Sequence, residues 1–232
     1  MKPTCLGIIP ARGGSKGVLR KNIRSVAGLP LIAYSILAAQ KSASLTHLVV
    51  STEDDEIASV ARSFGAQVLP RPAELAGDKT PMLPVVRDVI STLELNLAIK
   101  FEYGVLLQPT APMRTSEDID EAIAILSQTG ADSVVSVYRV LDHHPARMYR
   151  LENERLVPLE IEPIGRLRQD LPAVYHRNGA VYAFRRGLIN ETEGLIGPDT
   201  RPYIMPEERS VNIDNEIDLL LADLLLQRMN SK

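Results

Sequence analysis

The segment 10–22, which reads Pro-Ala-Arg-Gly-Gly-Ser-Lys-Gly-Val-Leu-Arg-Lys-Asn, concentrates glycine and positive charge directly after an apolar run at 5–9. Its three glycines allow a tight bend in which successive backbone N–H groups point at one spot, with no side chain in between. Four basic side chains surround this bend: Arg12, Lys16, Arg20 and Lys21. No Asp or Glu occurs before Glu53, so we interpret the segment as a binding site for a nucleoside triphosphate.

Two other interpretations of this segment are weaker. A solvated basic turn seldom carries Gly-Gly with a further glycine close behind. Nucleic-acid binding is disfavoured because the segment holds no aromatic side chain for base stacking and the net charge of the chain is −3. The spacing also differs from Gly-x4-Gly-Lys-Ser/Thr and from Gly-x-Gly-x-x-Gly, so neither a standard P-loop nor a dehydrogenase-type dinucleotide fold is indicated.

The composition is that of a globular protein large enough to bury a substantial core. The chain has 232 residues, of which 45% are hydrophobic and 24% charged. Neither a cleavable leader pattern nor an apolar run of membrane-spanning length occurs, so we expect a cytoplasmic protein with no membrane partner. Cys5 is the only cysteine and lies in an apolar run, which favours a packing role over disulfide chemistry.

Strand-length apolar runs alternate with helical patterns through the first 137 residues. Strands are predicted at 5–9, 48–50, 67–69, 103–107 and 133–137, and helices at 31–41, 53–64, 83–95 and 115–129. This alternation predicts one α/β domain over 1–232 with a Rossmann-like, doubly wound and mainly parallel sheet. Because ligands bind beyond the carboxyl ends of such strands, residues 10–22, 51–53 and 108–110 should converge on one crevice.

The alternation fails at 139–175, where Arg and Pro are frequent and apolar residues are too widely spaced for a core helix. This segment is expected to form a small excursion, either a hairpin that packs on a second subunit or a mobile lid. A strand at 179–184 and a helix at about 216–229 follow.

Four further motifs join the glycine-rich segment: residues 71–78 (Arg-Pro-Ala-Glu-Leu-Ala-Gly-Asp), 108–114 (Gln-Pro-Thr-Ala-Pro-Met-Arg), 176–182 (His-Arg-Asn-Gly-Ala-Val-Tyr) and 212–218 (Asn-Ile-Asp-Asn-Glu-Ile-Asp). Together they resemble the acylneuraminate cytidylyltransferases, which make CMP-sialic acid, and their bacterial relatives that act on legionaminic or pseudaminic acid. The resemblance runs from about Cys5 to Arg228. It implies transfer of CMP from CTP to the anomeric hydroxyl of a nine-carbon 2-keto acid sugar, with release of pyrophosphate.

The resemblance also implies roles for individual residues. Arg12, Lys21 and Asp214 would be catalytic, and Lys21 would contact oxygens that carry charge in the transition state. The nucleotide would be bound by Ala11, Arg12, Gly13, Gly14, Ser15, Lys16, Lys21, Asn22, Asp78, Thr80 and Gln108. The sugar would be bound by Gln108, Arg147, Arg168, His176, Arg177 and Asn178, with a guanidinium of Arg147 or Arg168 on the sugar carboxylate. A homodimer is expected, in which either arginine could complete the neighbour's pocket.

Two departures from the family pattern stand out. Asn212-Ile213-Asp214 replaces a common Asp-Ile-Asp, in which both acids would point the same way and share Mg²⁺ or Mn²⁺. We therefore expect Asp214 to be the principal metal ligand and Asn212 to contribute at most a neutral oxygen. His176 stands where sialic acid enzymes often place Arg, with Arg177 next to it, so the sugar pocket should differ from theirs.

Without the resemblance, Asp214 would be read as a helix cap, and His143-His144 as structural residues or sugar contacts. Three functions therefore remain: a nonulosonic acid cytidylyltransferase, a KDO-type or other sugar-acid nucleotidyltransferase, and a non-catalytic regulator that binds nucleotide.

Overall fold

A computed structural model of the protein describes residues 2–14, 17–160 and 171–230. The strands in this part of the chain are β1 (Cys5–Pro10), β2 (Ser25–Val26), β3 (Leu29–Pro30), β4 (His47–Thr52), β5 (Gln67–Pro70), β6 (Tyr103–Leu106), β7 (Ser133–Arg139), β8 (Tyr149–Glu152), β9 (Arg155–Pro158), β10 (Tyr175–Arg185) and β11 (Thr200–Ile204). The α-helices are α1 (Leu31–Lys41), α2 (Asp55–Ser63), α3 (Met82–Leu97), α4 (Ser116–Thr129), α5 (Leu188–Glu191) and α6 (Glu216–Asn230).

Of the described strands, seven form a central sheet in the spatial order β11–β7–β10–β6–β1–β4–β5. Strand β10 runs antiparallel to both of its neighbours, β6 and β7, while every other neighbouring pair is parallel. The order β5–β4–β1–β6 places the strand-to-helix turns of the first half at one edge of the sheet. The predicted α/β fold with a doubly wound, mainly parallel sheet is therefore confirmed.

Apolar side chains pack on both faces of the sheet, because successive residues of a strand point to opposite sides. In β1, Cys5 and Ile9 belong to the core that also holds α1, α2 and α4, whereas Leu6 and Ile8 pack with α3 and α5. All four are fully buried, which explains why β1 is apolar without alternation. Burial raises the pKa of the Cys5 thiol to about 12, in keeping with the expected packing role.

Helix α6 closes a third, smaller cluster beside the glycine-rich segment. Leu219 and Leu226 of α6 pack with Val18 from that segment and with Ile213 from the loop before α6. Val18 and Ile213 are far apart in sequence, yet both belong to this cluster and both are fully buried. It fixes the position of the neighbouring residues Lys21 and Asp214.

The excursion at 139–175 contains an antiparallel hairpin formed by β8 and β9, in a sheet of its own. Its apolar side chains are largely exposed: Leu151 is 73% and Leu156 67% accessible. Residues 161–170, which include the candidate Arg168, lie outside the described residues, as do Ser15 and Lys16 of the glycine-rich segment. No helix in the described ranges is long and apolar enough to cross a bilayer.

Glu94 of α3 is a buried acid whose ionisation stabilises the fold. Its side chain is 4% exposed and accepts hydrogen bonds from Arg186 (2.9 and 3.1 Å), Lys100 (3.0 Å) and the Phe101 N–H (3.3 Å). The Arg186 hydrogen bonds, helped by the other two donors, lower the pKa of Glu94 to about 2. A shift of this size is worth on the order of 3 kcal/mol.

We expect Glu94→Gln to lower the free energy of unfolding at pH 7 by roughly 2–3 kcal/mol. The native carboxyl has the lower pKa, so its contribution is complete above the unfolded pKa of 4.5 and is lost as the pH falls towards 2. The difference between wild type and variant in urea unfolding should therefore shrink from pH 7 to pH 3. Glu121→Gln, on the exposed face of α4, is the control. A difference independent of pH would contradict this assignment.

Candidate active site

A cavity of about 330 Å³ lies at the carboxyl edge of the sheet, where the sequence predicted the crevice. Its walls come from the glycine-rich segment, the ends of β1, β5 and β6, the start of α3, and the loop before α6. The lining residues are Pro10, Arg12, Gly17, Lys21, Asn22, Arg71, Met82, Gln108, Pro109, Thr110 and Asp214. Residues predicted from three distant parts of the chain therefore meet in one place: Arg12, Lys21 and Asn22 from the glycine-rich segment, Gln108, and Asp214.

Arg12 is held at the mouth of the cavity. Its guanidinium forms an ion pair with Asp78, and the Asn22 amide donates to the Arg12 carbonyl (2.9 Å). The Gly13 N–H donates to Glu53 (2.8 Å), and the Ala11 N–H continues the ladder onto Ser51 O (3.0 Å). These hydrogen bonds hold the backbone of the bend on both sides. Arg12 and Asp78 can break their ion pair and contact a ligand instead.

Lys21 is a basic side chain held firmly in the cavity. It is 14% exposed, and its Nζ donates to Ile213 O (2.6 Å) and lies 3.4 Å from Asp214 Oδ1. Gly17 packs against the Asp214 carbonyl so closely that a side chain would clash there. The glycine at this position is needed for close approach of two loops, which brings Lys21 and Asp214 together.

Several residues from the sequence prediction do not line the cavity: Ala11, Gly13, Gly14, Arg20, Asp78 and Thr80. Arg20 turns outward and pairs with Asp54 (2.8 Å) and Glu56 at the start of α2, so its charge does not add to the cavity. Its backbone adopts the left-handed conformation, with φ +54°. Thr80 is half-buried in the turn before α3 and is not among the residues that line the cavity.

Arg114, the last residue of the 108–114 motif, organises that motif from inside the protein. Its guanidinium is buried and donates to Ala180 O (2.6 Å), Gln108 O (3.3 Å) and the Ser35 hydroxyl. Burial lowers the pKa of Arg114 to about 10, which still leaves it charged at neutral pH. Arg114 therefore ties the loop after β6 to α1 and β10.

Gly179 in β10 supports the Gln108 side chain. It has φ +75°, and a Cβ placed there would lie 2.6 Å from Gln108 Oε1 and 3.2 Å from Asn212 Oδ1. Glycine is thus required both by the backbone conformation and by the space that the two amides occupy.

We expect Gly179→Ala to displace Gln108 and lower turnover by at least about tenfold, beyond a loss of about 1–2 kcal/mol in stability from backbone strain. Gly130→Ala is the matched control, because Gly130 has φ +65° but open space around it. Both variants should lose similar stability in urea unfolding, whereas only Gly179→Ala should lose activity. Equal activity in the two variants would show that the Gln108 position does not matter.

Arg71 is a cavity residue that sequence reasoning did not single out as a site residue. Its buried guanidinium donates to Ser51 O (2.8 Å) and Ser51 Oγ (3.3 Å), and it lies 4.0 Å from Glu53. Burial lowers the pKa of Arg71. It directly follows β5, which ends at the carboxyl edge of the sheet, so the rule that located 51–53 and 108–110 could also have found Arg71.

Asn212 and Asp214 lie side by side, as their spacing predicted. The Asn212 Nδ2 donates to Asp214 Oδ2 (2.6 Å), while the Asn212 Oδ1 is buried and has no hydrogen-bond partner among the described residues. Because the amide turns its N–H₂ group to the acid, its oxygen faces Gly179 and Gln108 instead. Asn212 is therefore not placed as a second oxygen ligand next to Asp214.

Asn178, predicted to contact the sugar, is 1% exposed and uses its whole amide inside the protein. Its Oδ1 accepts from Ser136 Oγ (2.6 Å) and the Ala180 N–H (3.1 Å), and its Nδ2 donates to Ser210 Oγ (2.9 Å) and Met205 Sδ (3.1 Å). No hydrogen-bonding position is left for a ligand. The structure gives Asn178 a positioning role at the irregular pairing of β10 with β7.

Two further cavities adjoin the first. One, of about 310 Å³, shares Met82 and Gln108 with it and is mainly apolar, with Arg177 and Glu193 as its charged residues. The other, of about 540 Å³, shares Asp214 and contains His176 together with Arg177. Arg177 therefore lies between the two. Arg147 is exposed in a 3₁₀ turn of the excursion and lines none of these three cavities.

Comparison with known proteins agrees with this geometry. Residues 6–195 match the family described as cytidylyltransferase. CMP-N,N'-diacetyllegionaminic acid synthase of Campylobacter jejuni is 36% identical over 223 residues, covering 96% of this chain and 94% of that protein. N-acylneuraminate cytidylyltransferase of Escherichia coli is 32% identical over 232 residues, covering 99% of this chain and 54% of that protein.

A solved structure supports the fold assignment. The chain of CMP-2-keto-3-deoxy-manno-octonic acid synthetase, solved in complex with CTP, superimposes with a TM-score of 0.73 at 16% identity, covering 97% of this chain and 99% of that one. At this identity the likeness concerns the fold. The family match over most of the sequence and the near full-length similarity above 30% carry the assignment: this chain belongs to the cytidylyltransferase family.

Proposed function

We propose that the protein transfers CMP from CTP to the anomeric hydroxyl of a nonulosonic acid and releases pyrophosphate. The observation that carries this proposal is the meeting of Arg12, Lys21, Gln108 and Asp214 in one cavity at the carboxyl edge of the sheet. The names of the relatives, which refer to legionaminic and N-acylneuraminic acids, give the substrate class.

In the reaction, the sugar oxygen attacks the α-phosphorus of CTP. The bond from that phosphorus to the bridging oxygen breaks, the electron pair leaves with pyrophosphate, and the hydroxyl proton passes to solvent. Negative charge grows on the departing oxygens, so cations fixed in a partly buried cavity lower the barrier most. Lys21 is held for this role by Ile213 O, and Arg12 can leave Asp78 to bind the triphosphate.

The Asp214 carboxylate, the single acid among the described residues that line this cavity, can take part in binding a magnesium or manganese ion. Mg²⁺ is commonly held by one or two carboxylates together with substrate phosphates, and Asp214 supplies one carboxylate that is 69% exposed. We propose that Asp214 holds the ion, which would neutralise part of the triphosphate charge when bound. Asn212 and Lys21 orient the Asp214 carboxylate from either side.

We propose that the sugar lies in the adjoining apolar cavity, with Gln108 at the junction of the two substrates. The walls formed by Leu106, Tyr182 and Leu195 suit the methyl groups of N-acyl substituents, and Arg177 can receive a carboxylate. His176 would then contact more distant parts of the sugar, from the neighbouring cavity.

Arg177→Ala should raise KM for the sugar acid by at least about tenfold while leaving KM for CTP nearly unchanged, because a charge-assisted pair is lost only on the sugar side. Arg62→Ala, which removes an exposed arginine from the last turn of α2, is the control, and we expect little change from it. Initial rates with each substrate varied in turn measure both constants. An unchanged KM for the sugar acid in Arg177→Ala, equal to that of Arg62→Ala, would overturn this assignment.

We further propose that the protein is a cytoplasmic homodimer joined through the excursion at 139–175. Leu151 and Leu156 expose apolar surface on its hairpin, and such surface is commonly buried against another chain. A partner so placed would bring Arg147 or Arg168 close to its neighbour's cavity. Sedimentation equilibrium of the whole protein tests the association.

The direct test of the function is pyrophosphate release from CTP with a panel of acid sugars. We expect release that depends on both a divalent cation and a nine-carbon 2-keto acid, with CMP attached to the sugar in the product. Turnover with KDO alone would support a KDO-type enzyme. Binding of CTP without turnover on any acid would instead support the regulator.

A further inference from the structure

We propose that Arg87 of α3 fixes one wall of the sugar cavity and thereby limits the size of the N-acyl group that the cavity accepts. Arg87 is a positioning residue, because it acts through residues 193–196, which we call the wall segment. This inference rests on the proposed function and concerns the selection of the sugar.

The wall segment forms one side of the apolar cavity of about 310 Å³ that adjoins the first cavity at Gln108. All four of its residues line the cavity, and the rest of the lining comes from α3, β6 and β10 and the turns beside them. Within the wall segment, Leu195 is 8% exposed and belongs to the same core cluster as Leu83 and Ile189. The position of this segment therefore determines how much room the cavity offers.

The Arg87 side chain ties α3 to the chain just before the wall segment. Its Nε donates to Ile189 O (2.5 Å) in α5, and its Nη2 donates to Thr192 O (3.2 Å). A helix as short as α5 leaves its last carbonyl groups without partners inside the helix, so they need donors from elsewhere. Arg87 reaches across from α3 to supply such donors.

The wall segment is anchored at both ends. On the upstream side, the Thr192 hydroxyl donates to Gly194 O (2.7 Å), so the residue that Arg87 holds also holds the wall. On the downstream side, the Gly197 N–H donates to the Ser133 hydroxyl at the start of β7 (3.1 Å). Four residues held in this way have few alternative conformations, and loss of the Arg87 contacts would release the upstream end.

The cavity has little room to spare. Sites for small molecules occupy roughly 300–1,000 Å³, so a volume of about 310 Å³ is near the lower limit of this range. Each methylene group added to an acyl chain needs further space, which a fixed wall does not give. A wall that can move would admit the longer chain, and it would also hold the shorter one less well.

The experiment compares wild type and Arg87→Met on the N-acetyl and N-butanoyl forms of one nine-carbon 2-keto acid. Arg87 is exposed, so methionine removes both donors without opening a hole in the core. For the wild type we expect kcat/KM to be at least about tenfold higher with the acetyl form. In Arg87→Met this ratio should fall at least about threefold and KM for the acetyl form should rise by a similar factor, while KM for CTP stays within about twofold.

Gln40→Met is the matched control. Gln40 of α1 also donates from one helix to a carbonyl at the end of another, Phe64 O after α2 (2.9 Å), and it lines none of the three adjoining cavities. Both variants should lose a similar, small amount of stability in urea unfolding, but the sugar ratio should change only in Arg87→Met. Arg87→Lys keeps one donor and should recover part of the ratio. A wild-type ratio in Arg87→Met would overturn the proposal.

Hydrogen–deuterium exchange of the whole protein distinguishes a failure of this proposal from a failure of the proposed function. In Arg87→Met the backbone amides of the wall segment should exchange at least about tenfold faster than in the wild type, while those of β1 stay protected. Unchanged exchange in the wall segment would overturn the anchoring role of Arg87. Turnover of no nine-carbon acid by the wild type would instead refute the proposed function.

Discussion

Replacing Lys21 by Met should lower kcat by about 10²–10³-fold while leaving the fold intact, the largest catalytic loss expected from any single site residue. The change keeps the length of the side chain and removes its charge from the place where the departing pyrophosphate gains charge. Interactions that strengthen in the transition state act on kcat more than on KM, so KM for CTP should change less. Pyrophosphate release at saturating substrates measures kcat.

The control for this variant is Lys41→Met, which removes an exposed lysine from the last turn of α1. Both variants should unfold in urea close to the wild type, since Lys21 makes one hydrogen bond to Ile213 O and lies beside the mostly exposed Asp214. Comparable kcat values for the two variants would remove Lys21 from the catalytic machinery. Partial activity in Lys21→Arg would show that positive charge matters more than the shape of the head group.

Most of the elements that position the site could be predicted because their local signals agree with the fold. Helix α1 has the predicted bounds, and α4, predicted at 115–129, begins after Thr115, whose side chain forms a capping box with Asp118. The carboxyl ends of parallel strands lie at the same edge of a sheet, and ligands bind beyond that edge. The sequence therefore predicted that the glycine-rich segment and the 108–110 turn lie close together.

The parts that sequence reasoning missed depend on tertiary structure. Strand β10 was predicted as a strand, yet apolar periodicity carries no information on its antiparallel direction. Strand β11 contains Pro202 and lies at the edge of the sheet, where proline is tolerated but weakens the strand signal. The outward orientation of Arg20 depends on its contact with Asp54, which lies 34 residues further along the chain, so residues 10–22 alone could not predict it.

The same distinction between local signals and tertiary contacts applies to the site residues. From residue type, Lys21 was expected to bind phosphate, Gln108 to contact nucleotide and sugar, and Asp214 to bind a cation. All three line the cavity. The roles of Asn178 and Asn212 could not be predicted, because an amide can serve a ligand or its own neighbours, and only the surrounding donors and acceptors decide which. In both cases the amide serves its neighbours.

Arg114→Met is the variant for which we expect the largest loss of stability, about 3 kcal/mol in the free energy of unfolding. Methionine fills much of the same space, but it leaves Ala180 O and the Ser35 hydroxyl without the donor that each now has. The loop that carries Gln108 also loses its tie to β10, so turnover should fall as well. Urea unfolding measures the first effect and pyrophosphate release the second.

The matched control is Arg62→Met, an exposed arginine in the last turn of α2, which should change stability by less than about 0.5 kcal/mol. The variant Arg114→Lys separates charge from geometry: it keeps the positive charge but lacks the fork that reaches both Ala180 and Ser35. We expect it to recover only part of the stability, because one ammonium cannot span acceptors that two guanidinium nitrogens now satisfy. If Arg114→Lys recovers the full stability of the wild type, the buried positive charge is sufficient to organise the motif and the two hydrogen bonds of the guanidinium are not needed.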